Sequence, residues 1–133
     1  MTQPGLVAIE LTDEERELMV LSLNEYYGPA GHAYELLRPL LGQSNKDEWV
    51  RLVNRLMEAI ENNEPLSDLD WARALFLTEI SFGSALVGAA LDLVRGADEY
   101  RIKVLRSLQY KVSSHARFLL LLQNAGYPAA EPD

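Results

Sequence analysis

Glu79 is the residue whose type and setting most suggest chemistry. It stands in a stretch that is apolar on nearly all sides from Ala72 to Leu93, where an unpaired carboxylate either takes up a proton or is strongly destabilising. If the chain after Ser67 forms two helices folded back at Gly96 and Ala97, equal distances from the turn set position 79 level with Ser114, with His115 and Lys111 within one helical turn. Glu79, His115, Ser114 and Lys111 are therefore the candidate buried polar cluster. Glu79 and His115 have the chemistry of a general acid and base. No nucleophile or oxyanion donor stands beside them, so the preferred reading is a satisfied polar pair that fixes helix register. No residue is assigned a catalytic role.

The remaining chemical signals are weaker. His32 and Glu35 stand at i, i+3, a spacing that suits metal ligation on a helix. Di-iron bundles, however, use Glu-x-x-His twice with two further glutamates, and here the order is reversed and the second copy is absent. No metal site and no cofactor follow. Tyr26 and Tyr27, and the set Trp71, Phe76 and Phe82, have the residue types of a ligand pocket, although aromatics at these spacings suit a plain core. The glycines form neither a phosphate-binding loop nor a dinucleotide fingerprint.

The elements that must position these residues are helical. Thr12 and Glu15 form a capping box that opens a helix running to about Tyr27, where Gly28 and Pro29 end it. Its apolar residues cover more than one face, which predicts packing on two sides. A short helix over Ala30–Leu41 is interrupted by Pro39 and stopped by Gly42. Ser44 or Asn45 caps a one-faced amphipathic helix from Lys46 to Asn62, with Trp49, Leu52, Val53, Leu56, Met57 and Ile60 at helical spacing. Ser67, followed by Asp70, caps the next segment.

From Ser67 to Gly126 the punctuation predicts a long antiparallel hairpin. Its arms are Asp68 to Arg95 and Asp98 to Ala125, each 28 residues and about 42 Å long at 1.5 Å per residue. Gly96 closes the first arm, Asp98 caps the second and Gly126 ends it. The first arm carries Ser81, Gly83, Ser84, Ala85, Gly88, Ala89 and Ala90, small residues that let another helix approach closely. The second shows a stripe of Ile102, Leu105, Leu108, Val112, Ala116, Leu119 and Gln123. The fold class expected is all-α, a bundle of four to five helices built on this hairpin, in one domain over 1–133 with an extended arm at 1–11 and a flexible tail at 128–133. Helices of about 23 and 26 Å cannot cover 42 Å arms, which predicts either a kink at Gly83 or Gly88 or a second subunit; a homodimer is the expectation.

Composition excludes several classes. The chain has no cysteine, so disulfides, thiolate nucleophiles and cysteine-based metal sites are ruled out. Hydrophobic content of 48% suits a folded domain rather than a disordered one. The net charge is −8, with 12 acids and 5 bases in residues 1–64 and 8 acids and 7 bases in 65–133. An acidic surface repels phosphate backbones and argues against nucleic acid, while it admits a basic protein partner. The longest apolar run, Ile80 to Val94, is too short for a membrane span and contains Asp92. With no signal-peptide pattern at Met1–Leu11, the expected location is cytoplasmic.

The run Glu64 to Ile80, EPLSDLDWARALFLTEI, with LRSLQ at Leu105 to Gln109, resembles small all-helical uncharacterised proteins of actinobacteria, loosely over residues 12 to 112. The resemblance implies an all-helical fold and a cytosolic bacterial protein, and it carries over no activity and no site residue. The function expected is a non-enzymatic protein-interaction or regulatory module acting as a homodimer. The alternatives are an immunity- or antitoxin-like acidic binder of a basic partner, and a small ligand-binding protein or enzyme using Glu79 and His115.

Overall fold

The structure, a computed structural model, describes residues 5–28, 30–84, 86–87 and 97–127. The first and third predicted helices form where their caps demand, whereas the second is shorter than the Ala30–Leu41 expected and has no side-chain cap. Helix α1 spans Asp13–Asn24 and continues as a 3-10 turn over Glu25–Tyr27. The Thr12 hydroxyl accepts from the Glu15 amide at 3.1 Å, and the Glu15 carboxylate accepts from the Thr12 amide at 2.8 Å. Helix α2 is a single turn and a half over Ala33–Leu37, ended before Pro39. Helix α3 spans Lys46–Glu61, its first turn capped by the Asn45 side chain, which accepts from the Glu48 amide.

Helix α4 spans Asp68–Gly83, with the Ser67 side chain accepting from the Asp70 amide. It is the most buried element and packs against α1 and two later helices, α5 (Asp98–Val112) and α6 (His115–Asn124). Trp71, Leu77 and Phe82 enter one hydrophobic core together with Leu18, Met19, Leu23, Leu56 and Ile60. Leu6–Val7 pairs antiparallel with Leu66–Ser67, a two-residue ladder within the arm expected at residues 1–11, of which residues 5–11 are described. The Trp71 indole N–H donates to the Val7 carbonyl at 2.8 Å and anchors that arm to the start of α4.

The long hairpin is corrected at two points. α4 stops at Gly83, because Ser84 turns to an extended conformation with ψ 119°, and the Ser84 hydroxyl accepts from the Val87 amide at 3.0 Å. The second arm is two helices, separated where Ser113 and Ser114 take extended backbone. The Ser114 side chain caps α6 by accepting from the Arg117 amide, and the Arg117 guanidinium donates back to the Val112 carbonyl at 2.9 Å. Serine side chains offer the backbone this alternative to a continuous helix. The turn at Gly96, the small residues Ala85 and Gly88–Ala90, and the tail at 128–133 lie outside the described residues.

Two finer expectations change with this break. Asp98 is the first helical residue of α5 and not its cap, a place taken by Ala97 without a side-chain bond. The buried stripe of α5 is Val104, Leu108 and Val112, and Ile102 is exposed, because Ser107 and Lys111 face the Glu15 carboxylate on α1. At 16 residues, α4 is about 24 Å long and equal to α3. The length mismatch that argued for a second subunit is therefore absent at α4.

Candidate functional site

The break at Ser113 and Ser114 leaves a groove of about 190 Å³ between α4 and α6. Leu75 and Phe76 form one wall, Phe118 and Leu121 the other, and Val112 the end of α5 between them. Glu79 and Ser114 line this groove together. Glu79 is half-buried and accepts a hydrogen bond from the Gln109 side-chain amide at 2.7 Å. It has no ion-pair partner among the described residues. Arg117, across the groove, is committed to Asp68 at 3.0 Å.

The structure does not gather the other two members of the sequence-derived cluster around Glu79. His115 is exposed at the start of α6, its ring 6.3 Å from that of Phe118. Lys111 points toward α1, where its ammonium donates to the Glu15 carboxylate and to the Glu10 carbonyl. Continuing the helix through residues 113 and 114 would have carried His115 around the α5 axis; restarting it from an extended pair re-aims the ring.

The most buried carboxylate among the described residues is Glu15, only 1% exposed. Burial by itself raises its pKa, but hydrogen bonds from Lys111, Ser107 and the Thr12 amide, with the Lys111 charge, hold the carboxyl below its ordinary value. Asp70 is a second such group. Burial raises it, and Arg55 and Arg73, both bonded to it, bring it below the usual carboxylate range. Arg73 also donates to the Asn124 side chain at 2.8 Å, which ties the end of α6 to α4. Neither Glu15 nor Asp70 was marked as a site by its sequence setting, since both stand in the first turn of a helix and look satisfied there. One signal was in the sequence: Lys111 has no acid three or four residues before it, whereas Arg73 has Asp70 three residues before it on the same helix.

Glu79 thus belongs to a hydrogen-bonded contact between α4 and α5. Glu79→Ala is expected to lower stability by about 1 kcal/mol, the size of a half-buried hydrogen bond. Thermal melting checks it, and an unchanged melting temperature would separate Glu79 from the folding of the helix pair.

His32 and Glu35 gain no third ligand, and no group of three or more His, Asp or Glu side chains is placed to hold a metal ion among the described residues. Trp71 and Phe82 are core residues, whereas Phe76 lines the α4/α6 groove. Tyr26 and Tyr27 line a second cavity, with Tyr34 and Trp49. No described helix is long and apolar enough to cross a membrane. No family model matches the chain, and neither the curated proteins nor the solved structures contain a significant match.

Proposed function

We propose that the chain is a non-enzymatic interaction module that works as a homodimer, with the face built by α4 and α6 as its contact surface. The observation that carries this reading is that α6 contains Phe118, Leu119, Leu120, Leu121 and Leu122 in succession, yet no residue of this helix is buried. A helix this apolar is ordinarily covered. Phe118 stands 52% exposed at the lip of the groove, beside the Leu75 and Phe76 wall.

A two-fold dimer needs one patch that complements itself, and a protruding ring beside an apolar groove meets that need: each Phe118 enters the groove of the other copy. Half-buried Glu79, bonded to a neutral amide, and Ser114, whose hydroxyl caps α6, support a structural rather than a catalytic role for the groove.

Light scattering behind a sizing column, over a concentration series at low and high salt, tests the proposal. The expected result is a dimer mass at both salts, because an apolar interface is not screened. Phe118→Asp is expected to give a monomer whose circular dichroism matches that of the parent. A monomer at every concentration in the unmutated protein overturns the reading.

A further inference from the structure

A partly open cavity of about 230 Å³ between the 3-10 turn, α2 and α3 is lined by four aromatic side chains, Tyr26, Tyr27, Tyr34 and Trp49, together with Val50, Val53 and Lys46. Its floor is rigid. Tyr26 and Trp49 meet edge to face with ring centroids 5.6 Å apart, and the Tyr26 hydroxyl donates to the Leu77 carbonyl at 2.6 Å, which locks the ring to α4. Tyr27 is held through its hydroxyl, which donates to the Asn54 side chain. Two of the three phenols are thereby oriented by bonds to residues that do not line the cavity, leaving the aromatic rings as its chemistry.

Among the described residues that line the cavity, Lys46 alone is charged. Its ammonium lies over the Tyr34 ring, 5.4 Å from the centroid. Lys46 is the first residue of α3, where the positive end of the helix dipole disfavours a cation. The attraction of the Tyr34 face is what the ammonium gains there. The ring faces carry partial negative charge, and residues 1–64, the half of the chain that supplies the whole lining, carry a net charge of −7 from 12 acids and 5 bases, a balance that favours cations over anions near this half. A dry cavity of about 150 Å³ holds benzene, a group comparable in size to a trimethylammonium.

We infer that this aromatic cavity is a binding site for a small organic cation of the quaternary ammonium class, and that the Lys46 ammonium is the chain's own occupant of the Tyr34 face. A quaternary ammonium is weakly hydrated and takes an aromatic box in preference to water, while the displaced lysine ammonium is strongly hydrated and returns to solvent readily. The site is separate from the α4/α6 face, and its occupation does not depend on dimerisation.

Calorimetric titration of the full chain with tetramethylammonium and with choline tests the inference, against sodium chloride at equal ionic strength. Both cations are expected to bind saturably. Lys46→Ala removes the competing ammonium and is expected to tighten binding about tenfold, and Tyr34→Ala, at a partly buried position on the edge of the core, to abolish it while the melting curve stays cooperative. The neutral isostere 3,3-dimethylbutan-1-ol is expected to bind at least tenfold more weakly than choline. The inference is overturned if neither cation saturates the Lys46→Ala protein, if that variant binds them more weakly than the parent, or if the neutral isostere binds as well. Binding of benzoate that disappears in Lys46→Ala would overturn it in favour of an anion site.

Discussion

Replacing Lys111 with methionine is expected to lower stability by about 2 kcal/mol, or roughly 8 °C in melting temperature for a chain of this size. Glu15 remains as a carboxylate at 1% exposure, bonded to the Ser107 hydroxyl at 2.6 Å and the Thr12 amide but without its cation. Stranding a buried charge costs more than an intact pair contributes, and the figure is set toward the low end because the Lys111 side chain is one-third exposed. Adding Glu15→Gln is expected to recover at least half the loss, since the amide still offers an oxygen and needs no counter-charge.

The pH dependence gives this prediction a second readout. In the unmutated protein the Glu15 and Asp70 carboxyls sit below their ordinary values. Both therefore contribute stability above the unfolded carboxylate pKa of about 4, and that contribution is lost as pH falls further through the depressed folded values. Without Lys111, burial acts on Glu15 with less opposition and its pKa rises. The stability deficit of Lys111→Met should then shrink as pH is lowered from 7 toward 4, because the protonated carboxyl no longer wants the cation. Thermal melts at several pH values check this, and a deficit that stays constant across the range would show that lost packing of the lysine stem is responsible.

The local parts of this fold were legible in the sequence because their causes are local. Thr12 with Glu15, Asn45 with Glu48 and Ser67 with Asp70 each satisfy a helix start within four residues, and the structure places every one of these caps as the residue types require. The break at Ser113 and Ser114 was hidden because apolar residues continue on both sides of it, so periodicity bridges a gap of two extended residues. Serine 114 followed three residues later by Arg117 lacks the acidic third position that marks the other starts.

The site was legible in half. Glu79 stands out against an apolar helix, and it does share a groove with Ser114. The partnership of Lys111 with Glu15 spans 96 residues. Glu15 had already been accounted for by its capping box, so nothing local called for a second partner. Register arguments also presuppose straight arms, and once α5 ends at Val112 the level of His115 no longer follows from its distance to the turn.

Gly42→Ala is expected to cost about 3 kcal/mol. Gly42 has φ +72°, and a Cβ built there would stand 2.3 Å from the Asn124 Oδ1 and 2.8 Å from the Asn124 carbonyl oxygen. The left-handed conformation by itself costs an alanine about 1 kcal/mol. The remainder is steric and falls on the end of α6. The Asn124 side chain cannot rotate away without releasing Arg73, which donates to it at 2.8 Å, and the backbone oxygen cannot move unless the helix does. Gly126→Ala separates the two contributions, because Gly126 has φ +98° at the other side of the same helix end and nothing within 4 Å of a new Cβ. Chemical denaturation should therefore place Gly126→Ala about 1 kcal/mol below the parent and Gly42→Ala about 2 kcal/mol lower again. Since relief of the clash pushes α6 away from the 38–43 loop, the groove beside Phe118 opens, and the dimer mass should fall at concentrations where Gly126→Ala still associates. Equal losses in the two variants would mean that Asn124 yields freely and that α6 is not positioned by its contact with Gly42.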